Sequence, residues 1–128
     1  MRPMSILLLA AVAIAGAFGA VARALVVTAT QHVVGDAFPL GTVLVNVLGC
    51  FLFGVLYAVG EPRAWSPMTT AAVFTGFLGG FTTFSSFAND CVLLLQKDHF
   101  GAFCLDLVGQ NVAGMLALYA GLRLGQGR

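Results

Sequence analysis

Twelve residues near the middle of the chain, Gly76-Phe77-Leu78-Gly79-Gly80-Phe81-Thr82-Thr83-Phe84-Ser85-Ser86-Phe87, crowd glycines, four hydroxyls and four phenylalanines into a segment otherwise apolar enough to cross a bilayer. Gly79 and Gly80 weaken a helix, and the hydroxyls of Thr82, Thr83, Ser85 and Ser86 can bond backbone groups that a break sets free. In lipid a break persists only where protein or water covers it. The stretch is therefore expected to be the working part of the chain, with a helix to Leu78, a break over Gly79 to Thr83, and a second helix from Phe84 to Leu95.

Other polar groups inside apolar segments are the next candidates, because each costs free energy in lipid and such groups mark ion or substrate paths. Asn46 lies mid-way along an uncharged run, where its amide either lines a path or bonds a neighbouring helix; Asn111 stands in the same position in the last apolar segment. Arg23 either snorkels to the interface or lines a wet vestibule, where it would attract anions. Asp90 and Asp106, near the ends of their segments, are expected to cap, pair or reach solvent. Phe84 and Phe87 share one helical face, as do Phe77 and Phe81. Phenyl edges are electropositive, so rings set edge-on beside an amide and hydroxyls make a narrow, donor-rich path suited to a small anion.

Catalysis finds little support. His32 and His99 stand in different connections without carboxylate or thiol at ligand spacing, and Ser85 and Ser86 have no base nearby in sequence. Cys50, Cys91 and Cys104 each sit among apolar residues and read as buried small hydrophobes. A net charge of +1 offers no basic surface for nucleic acid.

The elements that position these groups follow from hydropathy. With 59% hydrophobic and 9% charged residues and a mean hydropathy of +0.97, the 128-residue chain is a single polytopic membrane domain. Its start resembles a secretory signal, but the apolar run continues towards Val27 and three further apolar segments follow, so the first is expected to remain as a span. Spans are expected over about residues 5–28, 40–60, 67–96 and 100–124. Pro39 opens the second, where Thr42, Asn46, Gly49 and Phe53 form one stripe; Ser66-Pro67 caps the third. Four spans put both termini on one side. Arg2, Arg63, Arg123 and Arg128 then oppose Arg23 and Lys97, a bias weak enough to allow insertion both ways.

Three motifs in order, Gly16-Ala17-Phe18-Gly19-Ala20-Val21-Ala22-Arg23, Gly41-Thr42-Val43-Leu44-Val45-Asn46-Val47-Leu48-Gly49 and the Gly76 to Phe87 stretch, make the chain similar to the bacterial fluoride channel family, Fluc or CrcB. The resemblance implies an all-α, four-helix membrane protein of the inner (plasma) membrane, with a broken third helix, that assembles as an antiparallel, dual-topology homodimer with two pores and passively exports fluoride. It implies that Asn46, Phe84 and Phe87 line the pore with Ser85 and Ser86 nearby, and that Arg23 stands at the vestibule. A structural sodium ion at the dimer centre would be held by backbone carbonyls of Gly79 and Thr82. Freed carbonyls do suit a hard cation. In the fourth span, where the family often has Ser or Thr, the polar position corresponds to Asn111, with Met115 one turn on. The alternative from another class is a small proton-coupled multidrug exporter, against which stands the lack of an acid between Ser5 and Ala22.

Overall fold

The computed structural model describes residues 5–127. It is all-helical, with four helices long and apolar enough to cross a membrane: α1 (Ile6–Val34), α2 (Leu40–Gly60), α3 (Pro67–Gln96) and α4 (Phe100–Gly125). The helix ends follow local chemistry. The Ser5 hydroxyl accepts from the Leu8 amide at the start of α1. Ser66 does the same for Thr69 at the start of α3, with Pro67 in the first turn where a missing amide costs nothing. Arg63 donates to the Val59 carbonyl and closes the end of α2.

Two boundaries differ from expectation. α1 runs to Val34 rather than stopping near Thr28, because Thr28, Thr30, Gln31 and His32 stay helical, the Thr30 hydroxyl turning back to the Val26 carbonyl at 2.7 Å. Arg23 thus stands about three turns inside the helix end. In α3 the helix continues through Gly79, Gly80 and Phe81, and only Thr82 (φ −86°, ψ 159°) and Thr83 (φ −152°, ψ 111°) are extended before helix resumes over Phe84–Gln96. The break is therefore shorter and later than the glycine pair implied.

The glycines serve packing instead. α1 lies against the first half of α3 and against α2, and α2 lies along the C-terminal half of α4. A Cβ on Gly80 would sit 2.4 Å from the Gly16 carbonyl oxygen of α1. One on Gly54 would sit 2.2 Å from that of Leu118, and one on Gly121 2.2 Å from that of Phe51, so α2 and α4 meet backbone to backbone. Between apolar helices in lipid, where hydrophobic burial gives no drive, such close approach supplies the attraction. Two stretches, residues 71–78 in α3 and 105–109 in α4, are wound more widely as π-helix, a form found often at functional positions.

A bundle this thin leaves much of its apolar surface uncovered, including Ile14, Phe18 and Leu25 on α1 and Val108, Met115 and Leu116 on α4. Substituting Gly80 by valine should lower the stability of the detergent-solubilised protein by about 1–3 kcal/mol through overpacking. Gly101→Ala, where an added Cβ meets nothing within 4 Å, should leave the unfolding midpoint nearly unchanged.

Candidate ion pathway

The break in α3 is held by a side chain from α2. Asn46 Oδ1 accepts from the Thr83 amide at 2.7 Å, and Asn46 Nδ2 donates to the Thr83 carbonyl at 3.0 Å, so the side-chain amide pairs with the extended backbone as a neighbouring strand would. The second Nδ2 hydrogen goes to Gln110 Oε1 on α4. Both donors of Asn46 are thereby used. Gly49, one turn further along α2, supplies the seat, since a Cβ there would lie 2.2 Å from Thr82 Cγ2.

Thr83 then restarts the helix. Its Oγ1 accepts from the Ser86 amide at 3.1 Å and donates to the Ser86 hydroxyl at 3.0 Å, with the Ser85 hydroxyl 3.4 Å away. These bonds divert two amides from the carbonyls four residues before them. The Thr83 amide would otherwise reach Gly79, and the Ser86 amide Thr82. The carbonyls of Gly79 and Thr82 are thus left without those helical partners. The Thr82 hydroxyl is itself spent on the Leu78 carbonyl at 2.9 Å, so any ligand at Thr82 would meet its main chain.

Below the break lies an open groove of about 430 Å³ that brings together Asn46, Gly79, Thr82, Phe84, Phe87 and Asn111, with Gly49, Phe53, Gln110 and Met115 among its other walls. Phe84 and Phe87 touch with ring centroids 5.6 Å apart and planes tilted by 55°. Phe87 is buried while Phe84 is 78% exposed and stands at the open side. Ser85 and Ser86 do not line this groove; they belong to the cap at Thr83. Arg23, half-buried on α1, does not line it either. Asn111 is exposed and donates to the Leu107 carbonyl of its own helix.

The buried polar residue of α4 is Gln110, which sequence reasoning passed over in favour of its neighbour. Gln110 Nε2 donates to Asp106 Oδ1 at 3.0 Å, and Cys91 Sγ donates to Asp106 Oδ2 at 3.4 Å. Asp106 has no exposed surface at all, so it pairs inside the bundle rather than reaching solvent. The signal available beforehand was the spacing of Asp106 and Gln110, four apart on one helical face. Cys50 and Cys104 are half-buried and Cys91 is buried; all three are free, and Cys91 adds a hydrogen bond to its packing role.

A second, more polar groove of about 580 Å³ opens at the end where α1 joins α2 and α3 joins α4, lined among others by His32, Asp36, Thr42, Asp90, Lys97 and His99. The two histidines, remote in sequence, thus share one mouth. One carboxylate oxygen of Asp90 is buried there without a hydrogen-bond partner.

The family model for CrcB-like protein, Camphor Resistance (CrcB), matches residues 10–122. The chain belongs to the CrcB family. Among curated relatives, the fluoride-specific ion channel FluC of Shewanella piezotolerans is 40% identical over 113 residues, covering 88% of this chain and 91% of that one. FluC of Solidesulfovibrio magneticus is 42% identical over 116 residues, covering 90% and 93%, and FluC of Shewanella baltica is 43% identical over 113 residues. The CrcB match spans the whole of α2 and α3, and with them the clasp between Asn46 and Thr83.

Asn46→Ala removes both backbone partners of Thr83. The cost of an unpaired buried amide, about 1–3 kcal/mol, corresponds to roughly five- to 150-fold faster deuterium exchange at the Thr83 amide, read by exchange mass spectrometry in detergent.

Proposed function

We propose that this CrcB-family chain is a fluoride channel giving passive export of the ion, and that the groove beneath the α3 break is one wall of its path. The relatives named as fluoride-specific ion channels, alike over about nine-tenths of both chains, carry the choice of ion. The groove fits that choice. Its lining includes the rings of Phe84 and Phe87 and amide- and hydroxyl-bearing residues near the break, with no carboxylate among its lining residues. Such a lining favours a small anion over a cation by ring quadrupole and donor geometry rather than by a fixed positive charge. Nothing in the family match favours the multidrug exporter.

The functional unit is an antiparallel homodimer inserted in both orientations in the inner membrane. In a single chain Gly79, Phe84, Ser85 and Asn111 are all exposed beside an open groove. Exposed polar groups and an interrupted backbone at membrane depth need protein or water over them, and a second copy is the cover that fits. Two breaks meeting on a two-fold axis would present the carbonyls of Gly79 and Thr82 from each chain, four oxygens of the type a sodium ion takes. The fit is in the donor set: these two are among the carbonyls that lose helical amides at the break, those of Thr83 and Ser86. The bound ion would supply fixed positive charge at the centre of the membrane. The protein's part is to hold those carbonyls outward, through Asn46 and the Thr83 cap, and to keep Phe84 and Phe87 edge-on to the path. Arg23, three turns inside α1, would draw anions towards the opening.

Efflux from proteoliposomes, followed with a fluoride electrode and with chloride as control, tests the reading. Fast fluoride release without a proton gradient is expected, and absence of fluoride flux from correctly folded protein would sink it. Phe84→Ile should cut the flux while leaving the dimer intact. Removing sodium should impair it, whereas Thr82→Ser should be mild because the ligand is the main chain.

A further inference from the structure

Three bonds in series lead from the α3 break to Asp106, and a fourth reaches Asp106 from Cys91. The Thr83 amide donates to Asn46 Oδ1, the Asn46 amide group donates to Gln110 Oε1, and the Gln110 amide group donates to Asp106 Oδ1. Cys91 donates to the other carboxylate oxygen. Along this series each donor faces Asp106, while the Asn46 amide group also donates back to the Thr83 carbonyl. A side-chain amide can face either way, so something must choose. At the far end Asp106 accepts at both oxygens, from Gln110 Nε2 and from Cys91 Sγ, and as a carboxylate it has no donor to offer. It obliges Gln110 to turn its NH₂ to Asp106, one turn back on α4, and its carbonyl to Asn46 of α2. That carbonyl in turn obliges Asn46 to turn its NH₂ to Gln110 and its oxygen to the Thr83 amide.

We infer that Asp106 is a positioning residue for conduction: it sets the polarity of a buried hydrogen-bond chain through Gln110 and Asn46, and so fixes which way the backbone at the α3 break faces. Were Asn46 reversed, its NH₂ would meet the Thr83 N–H and two donors would oppose each other. The Thr83 amide would then return to the Gly79 carbonyl, closing the break. A buried carboxylate is costly in this setting, and here the cost is met by hydrogen bonds to Gln110 and Cys91 rather than by a paired cation. Chains of hydrogen bonds also polarise one another, so the ionic end strengthens the bonds nearer the break. The π-helical winding over residues 105–109 takes in Asp106 and ends just before Gln110, whose side chain reaches back to it.

The inference rests on the channel reading, and its test exploits polarity, which a merely space-filling role would not. In Gln110→Glu the new carboxylate still accepts from Asn46 but cannot donate to Asp106 and faces it charge to charge. Adding Asp106→Asn restores the lost donor from the other side: the new amide at position 106 donates to position 110, and its oxygen still accepts from Cys91. Fluoride efflux from proteoliposomes should fall roughly tenfold or more in Gln110→Glu, the effect of one buried bond lost, and should recover in the Gln110→Glu, Asp106→Asn double variant. Recovery of dimer assembly, if Gln110→Glu alone fails to assemble, is the same rescue. A double variant no better than the single one, or an assembled Asp106→Leu protein with unchanged efflux, would overturn it. Deuterium exchange at the Thr83 amide gives a second reading that needs no flux, faster in Gln110→Glu and slow again in the double variant. Should the unmodified protein conduct no fluoride, this arm still decides the positioning claim while the channel reading alone fails.

Discussion

The structure depends on a substitution of one hydrogen-bond partner for another: the Thr83 amide, which in an unbroken helix would bond the Gly79 carbonyl, bonds Asn46 instead. In lipid an unmet backbone group costs several kcal/mol, so a helix cannot simply stop at mid-membrane. Asn46 removes that cost with one side chain, taking both the amide and the carbonyl of Thr83. Once it does so, two extended residues become tolerable, the Thr83 hydroxyl can cap the following helix, and carbonyls before the break, those of Gly79 and Thr82 among them, are released from their helical partners. The remaining architecture brings Asn46 to within reach and keeps it there. Gly49 lets the break sit down on α2, and the glycine contacts of α1 with α3 and of α2 with α4 hold the four helices at backbone distance.

Much of this was legible in the sequence. Hydropathy and charge placed four spans, the Ser66-Pro67 pair set the start of α3, and the hydroxyl-rich stretch announced a break. Its end at Thr83 matches, but its start falls three residues later than Gly79, and the reason is physical. Glycine has two uses in membrane helices, loosening the backbone and allowing close approach, and a single sequence does not say which applies. Here Gly80 approaches Gly16 and remains helical, and the break falls where a side chain from another helix can replace the backbone partner. Asn46 was suspected from its isolation, with path and packing left open. The geometry gives it a bonding role at the wall of the groove, which joins the two alternatives.

Gln110 and Asp106 were harder to see. Asn111 looked equivalent to Gln110, but one residue turns a helical side chain by about 100° and exchanges interior for exterior. Asp106 stands six residues from the start of α4 and read as an end group. The loose winding of residues 105–109 and the turn over Lys97 to His99 carry it into the bundle, against Cys91 of α3. Such long-range pairings leave no periodic trace, whereas the paired residues Asp106 and Gln110 do. Arg23 was placed near a helix end only because the polar residues after Thr28 were read as leaving the helix.

What a single chain leaves unfinished is as informative as what it completes. Its groove is open on the side of Phe84, and Gly79 and Asn111 face outward at the depth of the break. A structure of the purified protein determined in sodium fluoride tests this most directly. The account predicts a second copy seated across Gly79 and Phe84, with the four carbonyls of Gly79 and Thr82 around a central ion and density for anions against the phenylalanine edges. A monomer, or copies that meet through another face and leave Gly79 and Asn111 against detergent, would contradict it.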